Sequence, residues 1–143
     1  IMQINIGIIR RCEQSFLRER LSTCQLKPVD SVVLTALDRH GQCNQDTLCS
    51  IVNIDKGRMA RVMERLEGRS LIRRLINPDN KREKLIEMTE QGKQMLEIIN
   101  SFSKEWNDRC FDGFTEQEKN EYQGYLERIA RNALAGKENL END

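Results

Sequence analysis

No run of apolar residues approaches the roughly 20 that a helix needs to cross a bilayer, and no basic start leads into an apolar stretch with a small-residue cleavage site. The chain is therefore expected to work in the cytoplasm, away from membranes. Five cysteines (Cys12, Cys24, Cys43, Cys49 and Cys110) are scattered, with no two of them two or three residues apart. That spacing argues against a disulfide framework and for a reduced compartment. With a single histidine, His40, there is no short-range Cys/His cluster to hold structural zinc. A glycine-rich phosphate loop and clustered carboxylates are also missing, and a cysteine paired with His40 has no accompanying motif, so no enzyme chemistry, metal or cofactor is expected.

Net charge is lacking as well: 23 basic residues balance 23 acidic ones. The distribution carries what the total does not. From Asp55 to Lys84 there are ten basic residues and five acidic ones, a net of +5, while the remainder of the chain holds 13 basic and 18 acidic, a net of −5. A basic centre in an acidic frame suits a protein that turns one surface to phosphates and keeps the rest away from them.

At 143 residues the chain is read as one domain, 1–143, of mostly helical (α+β) class. Ile4, Ile8, Ile9, Cys12, Phe16 and Leu17 recur at helical spacing over about 4–21. Lys27-Pro28 interrupts that pattern. A second helix follows from about Val29 to Arg39, with Val32, Val33, Ala36 and Leu37 directed inward, and Gly41 ends it. A third covers Gln45 to Val52, burying Leu48, Ile51 and Val52. After the tight link Asn53-Ile54-Asp55, the Asp55 carboxylate caps a fourth helix reaching about Arg69. Two short helices joined by about three residues make a helix-turn-helix.

The fourth helix is the most informative stretch. Met59, Val62, Met63 and Leu66 form one core stripe. At about 100° per residue, Gly57, Ala60, Arg61 and Glu64 fall across from it, with Arg58 and Arg65 along one flank. Small residues beside long guanidinium side chains let a helix sit deep in a groove while its arginines reach outward. Leu71 to Ile76 and Lys84 to Met88 then read as two strands around Asn77-Pro78-Asp79-Asn80, a hairpin with a basic tip. A hairpin directly after a recognition-type helix is a wing. Beyond it, one long helix begins near Thr89 and carries Met95, Ile98, Ile99, Phe102, Trp106 and Cys110. A last one starts at the capping box Thr115-Glu116-Gln117-Glu118 and carries Tyr122, Tyr125, Leu126, Ile129 and Ala133, before a polar tail from Gly136 that is expected to fray. These readings place a DNA-binding winged helix-turn-helix at about 29–88 and helical dimerisation segments at about 4–21 and 89–135. A winged helix that binds only protein is the alternative class.

The order of elements and several local motifs resemble the MarR family of bacterial regulators over nearly the whole chain. The similarity is densest from Asn44 to Gly92: Leu48 through Ile54, then Asp55-Lys56-Gly57-Arg58-Met59-Ala60-Arg61, Leu66-Glu67 with Leu71-Ile72, and Leu85-Ile86-Glu87-Met88-Thr89-Glu90-Gln91-Gly92. Two positions depart from the family pattern. Ser70 stands where glycine usually precedes the Leu-Ile pair, and Asn80-Lys81-Arg82 replaces the usual Asp-x-Arg of the wing tip.

The resemblance implies a homodimer on palindromic duplex DNA, repressing or otherwise regulating transcription, with the recognition helix in the major groove and the wing in the minor groove. The expected DNA-binding residues are Lys56, Gly57, Arg58, Arg61, Arg65, Lys81, Arg82 and Lys84, Arg82 matching the family's minor-groove arginine. It further implies release by a small aromatic acid, for which Arg10, Arg11, His40 and Trp106 are the candidate contacts, or by oxidation at Cys12. On residue pattern alone Cys12 reads as a packing residue between Ile8, Ile9 and Phe16.

Overall fold

A computed structural model describes residues 2–142, with side chains described for 4–137. The elements run α1 (Met2–Thr23), α2 (Pro28–His40), β1 (Cys43–Asn44), α3 (Gln45–Val52), α4 (Lys56–Gly68), β2 (Ile72–Asn77), β3 (Asn80–Met88), α5 (Glu90–Cys110) and α6 (Glu116–Asn142). They form two compact units, Ile1–Trp106 and Asn107–Asp143.

In the first unit the core is the apolar side of the helix-turn-helix. Met59, Val62, Met63 and Leu66 of α4 are sealed from solvent together with Val33 and Leu34 of α2 and Leu48 of α3, each contributing about 1.5–3 kcal/mol relative to exposure. The four-residue stripe on α4 is the one its periodicity predicts. On α2 the inward set is shifted: Val32 is half exposed and Leu34 takes its place. On α3, Ile51 faces out although Leu48 is buried. Both differences have one cause, since a helix wheel gives the direction of an apolar stripe but not how far its neighbours wrap round it.

A short strand invisible to periodicity, β1, pairs antiparallel with β3 at Cys43↔Ile86 and Asn44↔Leu85, giving the sheet order β1-β3-β2. β3 starts at Asn80 rather than at Lys84, so the hairpin is longer than its apolar residues suggest. Its ladder runs regularly from Ile72↔Met88 to Ile76↔Lys84 and then jumps to Asn77↔Asn80. The step Ile76–Asn77 therefore faces the extra residues Lys81, Arg82 and Glu83, which form a bulge.

The helix-to-wing junction explains why the Leu85–Gly92 run is so regular. Leu71 N–H donates to Leu66 O at 2.9 Å and Ser70 N–H to Glu67 O at 3.0 Å, the paired bonds of a Schellman motif. Ser70 holds φ +59°, a left-handed position that suits glycine, so α4 ends where the family pattern implies despite the serine. The Thr89 hydroxyl donates to Ser70 O, and Thr89 N–H donates to Leu71 O at 3.1 Å. Gly92 then passes so close that a Cβ there would stand 2.1 Å from Leu71 O.

Farther along the unit, Phe16 packs on Trp106 with ring centroids 5.5 Å apart, and the Arg20 guanidinium lies 4.6 Å from the Phe16 ring while bonding Glu105 through two nitrogens. Ile4, Ile6, Ile8 and Ile9 of α1 are left exposed.

In the second unit Phe111 packs against Phe114 and Tyr122 at 5.6 and 5.5 Å. The expected capping box opens α6: Glu118 N–H donates to Thr115 Oγ1 at 3.1 Å and Thr115 N–H to Glu118 Oε1 at 2.9 Å. Tyr125, Leu126, Ile129 and Leu134 of α6 are exposed. The tail expected to fray from Gly136 instead continues the helix to Asn142. Ala133-Leu134-Ala135 are strong helix formers, and a single glycine costs only about 1 kcal/mol. Asp143 lies outside the described residues.

Candidate nucleic-acid interface

The helix-turn-helix link is built by two polar residues. Asn53 takes a left-handed conformation at φ +55°, which its short side chain tolerates, and ends α3. Asp55 then caps α4, its Oδ1 accepting from Arg58 N–H at 2.7 Å. That hydrogen bond from the amide lowers the Asp55 pKa below the usual carboxylate value; desolvation opposes it, and the nearby Arg61 charge adds to the lowering.

Lys56, Gly57, Arg58 and Arg61 are all exposed on the side of α4 away from its sealed stripe. A Cβ on Gly57 would meet only its own Asp55 and the far end of Arg61 at ordinary contact distances, so the helix surface there is low and open to close approach. Lys56 lies 3.7 Å from Asp46, with both side chains solvated, a pair too exposed to hold it. Lys81, Arg82 and Lys84 are exposed on the wing. Arg58, Arg61, Lys81, Arg82 and Lys84 form no ion pair among the described residues. Their charge is available to an outside partner.

Arg65 departs from this group. It shares a flank with Arg58, but two turns on that flank meets the N-terminus of α2, where Arg65 Nη2 donates to Asp30 Oδ1 at 2.7 Å. Asp30 is 2% exposed and also accepts from Lys27 N–H at 2.9 Å. Arg65 is thus drawn into the protein and away from the surface expected of it. Arg73 and Arg74 are likewise engaged, by Glu87 and Glu67.

On the wing, Asn80 occupies the position where the resemblance implies aspartate, and its Oδ1 accepts from Arg82 N–H at 3.2 Å. It braces the backbone of Arg82 rather than its guanidinium. Asn77 Oδ1 accepts from Asp79 N–H at 3.0 Å, closing the turn. Glu83, which the sequence did not single out, accepts from Asn44 Nδ2 and, at 3.3 Å, from Asn77 Nδ2.

The four residues expected to bind an effector are not brought together. Trp106 is buried on Phe16, and Arg10 and Arg11 are exposed on α1. Only His40 lines a crevice, of about 710 Å³, shared with Arg39, Leu17, Val32, Thr35 and Ile99. Sequence spacing could not pair residues contributed by three different helices, and Arg39 went unnoticed because it sits beside His40 on an exposed helix end. Cys12 is exposed on α1, which corrects the packing role between Ile8, Ile9 and Phe16: those isoleucines are themselves uncovered in the single chain.

A helix-turn-helix whose second helix is apolar inside and basic outside, followed by a hairpin with a free basic tip, defines a winged helix-turn-helix protein. Residues 26–84 match the MarR family. An uncharacterised HTH-type transcriptional regulator of Bacillus subtilis, YybA, is 24% identical over 127 residues, spanning 89% of this chain and 85% of that protein. The HTH-type transcriptional repressor NicR of Pseudomonas putida is 32% identical over 75 residues, 52% of this chain and 48% of that one. Among solved structures, a crystal structure of MarR superposes with a TM-score of 0.80 at 28% identity, covering 96% of this chain and 93% of the other. A mutant MarR from E. coli complexed with operator DNA has the same fold, with a TM-score of 0.71 at 20% identity over 90% and 92% of the two chains. The chain is thus similar to MarR-family regulators, in its residues 26–84 by sequence and over nearly its whole length by fold. Its fold is the winged helix-turn-helix, and the relatives it matches are HTH-type transcriptional regulators.

Proposed function

We propose that the protein binds palindromic duplex DNA as a homodimer, with α4 in the major groove and the β2–β3 wing in the minor groove. The observation that carries this reading is the division of α4. Its inner stripe is fully sealed while Arg58 and Arg61 stand exposed on the outer side beside open Gly57, the arrangement a recognition helix needs to reach base edges. Lys56 joins them at the helix start. Lys81 and Lys84 lie by phosphates, and Arg82 enters the minor groove, where width and negative potential are read more than base identity.

Dimerisation follows from uncovered apolar surface. Ile4, Ile6, Ile8 and Ile9 on α1, and Tyr125, Leu126, Ile129 and Leu134 on α6, are exposed in the single chain, and a second copy of the chain covers them. Light scattering at micromolar concentration is expected to give a dimer; a monomer would refute the assignment. The repressor among the relatives favours repression as the mode of action. Release is assigned to a small aromatic acid in the crevice at His40, with Arg39 supplying the cation in place of Arg10 and Arg11. Oxidation of the exposed Cys12 is the second route: Cys12→Ser would then bind DNA but ignore peroxide.

Selection of bound sequences from random duplex DNA tests the central reading, and a palindrome with half-sites one helical turn apart is expected. No enrichment, with no salt-sensitive retention on DNA, would favour a module that binds only protein.

A further inference from the structure

We infer that Glu83, an acidic residue in the middle of a basic wing tip, is the residue that aims the wing. The inference rests on the DNA-docking reading above. Glu83 is half-buried in the bulge opposite Ile76–Asn77, flanked by Arg82 and Lys84. Its two carboxylate oxygens are divided between two elements: Oε1 accepts from Asn44 Nδ2 and Oε2 from Asn77 Nδ2 at 3.3 Å. Asn77 is the last residue of β2, so this second bond lies at the turn end of the hairpin. Asn44 is the N-cap of α3, its Oδ1 accepting from Thr47 N–H at 2.7 Å. One carboxylate therefore ties the bulge that carries Lys81 and Arg82 to the first helix of the helix-turn-helix.

The tether answers a mechanical problem. A two-stranded tip beyond the sheet is weakly ordered on its own, and a bulge frees the residues it contains from the ladder. Asn80 braces only the backbone of Arg82. Without a further tie, Arg82 would have to be ordered when DNA binds, at an entropic cost to affinity. Glu83 makes that tie in advance, so Arg82 is held relative to α3 and, through the α3–α4 link, to the recognition helix. Glu83 is a positioning residue that acts through Arg82.

Electrostatics and positioning make opposite forecasts for its removal, which makes the inference testable. Removing a negative charge beside phosphates should tighten binding if charge is all that matters. If Glu83 aims the wing, Glu83→Gln should weaken operator binding about tenfold, because the amide replaces one of the two accepting oxygens with an NH2 that faces an asparagine donor. Asn44→Ser approaches from the other side: serine still caps α3 but does not reach Glu83, and the net charge is unchanged. The experiment measures operator affinity for the full chain, each variant, Arg82→Ala and the two double variants, with melting recorded for all. Weakened binding by Glu83→Gln and Asn44→Ser, together with an Arg82→Ala loss that largely disappears in either background, is the expected result. Equal or tighter binding by Glu83→Gln, or an Arg82→Ala loss of the same size in every background, would overturn the assignment to Glu83 while leaving the docking reading standing. An Arg82→Ala variant that binds like wild type would overturn the docking reading itself. If Glu83→Gln fails to fold, Asn44→Ser decides.

Discussion

Arg65 of the recognition helix and Asp30 of α2 form an ion pair at 2.7 Å in which the carboxylate is almost wholly shielded from solvent and the guanidinium is about one-third exposed. The pair joins the helix proposed to face DNA to the helix behind it. Among the described residues Arg65 Nε is buried with no hydrogen-bond partner, so the arginine is placed by Asp30 at some cost in its own hydration. Arg65→Ala would strand a buried carboxylate and should lower unfolding free energy by about 3 kcal/mol, as expected for one half of a buried pair. Replacing both partners by apolar residues (Asp30→Leu with Arg65→Met) should recover much of the loss. Urea unfolding of the three proteins checks this, and an Arg65→Ala protein as stable as wild type would return Arg65 to the DNA surface.

Gly92 is fixed by space. With Leu71 O only 2.1 Å from the place of a Cβ, Gly92→Ala must push the start of α5 off the end of α4. The expected cost is about 3 kcal/mol or more, in the range of severe overpacking. A thermal midpoint within a degree or two of wild type would contradict it.

Ser70 behaves oppositely. Its φ of +59° is costly for any residue with a side chain and natural for glycine. Ser70→Gly keeps the carbonyl that Thr89 uses and should stabilise by about 0.5–1 kcal/mol, the relief of strain exceeding the added freedom of the unfolded chain. An unchanged or lowered urea midpoint would argue against strain at this position.

Asp55 gives a pH signature. Its folded-state pKa is lowered, chiefly by the Arg58 amide, with desolvation opposing and Arg61 adding to the effect. The stabilisation is accordingly present in full above the ordinary carboxylate value, about 4, and is lost as pH falls through the lowered one. Asp55→Asn keeps a capping side chain but does not titrate. The stability difference between wild type and Asp55→Asn should be flat near neutrality and shift against wild type below about pH 4. A difference independent of pH down to 2 would show that the cap does not depend on charge.

Much of this architecture could be read from residue order. The sealed stripe of α4, the Asp55 cap, the Thr115–Glu118 box and the hairpin after α4 each depend on neighbours within one or two turns, which a sequence displays directly. What stayed hidden depends on distance in the chain. Arg65 looked equivalent to Arg58 because both share a flank, and only the packing of α2 against the second turn separates them. β1 is two residues long and exists because β3 lies beside it. The tether at Glu83 joins residues 39 and 6 positions away, and its acidic character made it look like an interruption in a basic tip. The effector contacts expected at Arg10, Arg11, His40 and Trp106 needed three helices to converge, and the fold brings only His40 to the crevice, with Arg39 next to it.

The account stands most directly on how the arginines divide their work, and competition between operator and random duplex DNA across a salt series measures it. Arg58→Ala and Arg61→Ala should weaken the operator far more than random DNA, since an arginine–guanine contact is worth roughly 1–3 kcal/mol of discrimination. Arg82→Ala should lower binding across sequences, and Lys81→Ala should reduce the salt slope by about one unit with little change in preference. Equal loss of specific and random binding in Arg58→Ala and Arg61→Ala, or no loss in Arg82→Ala, would contradict the docking of this winged helix on DNA.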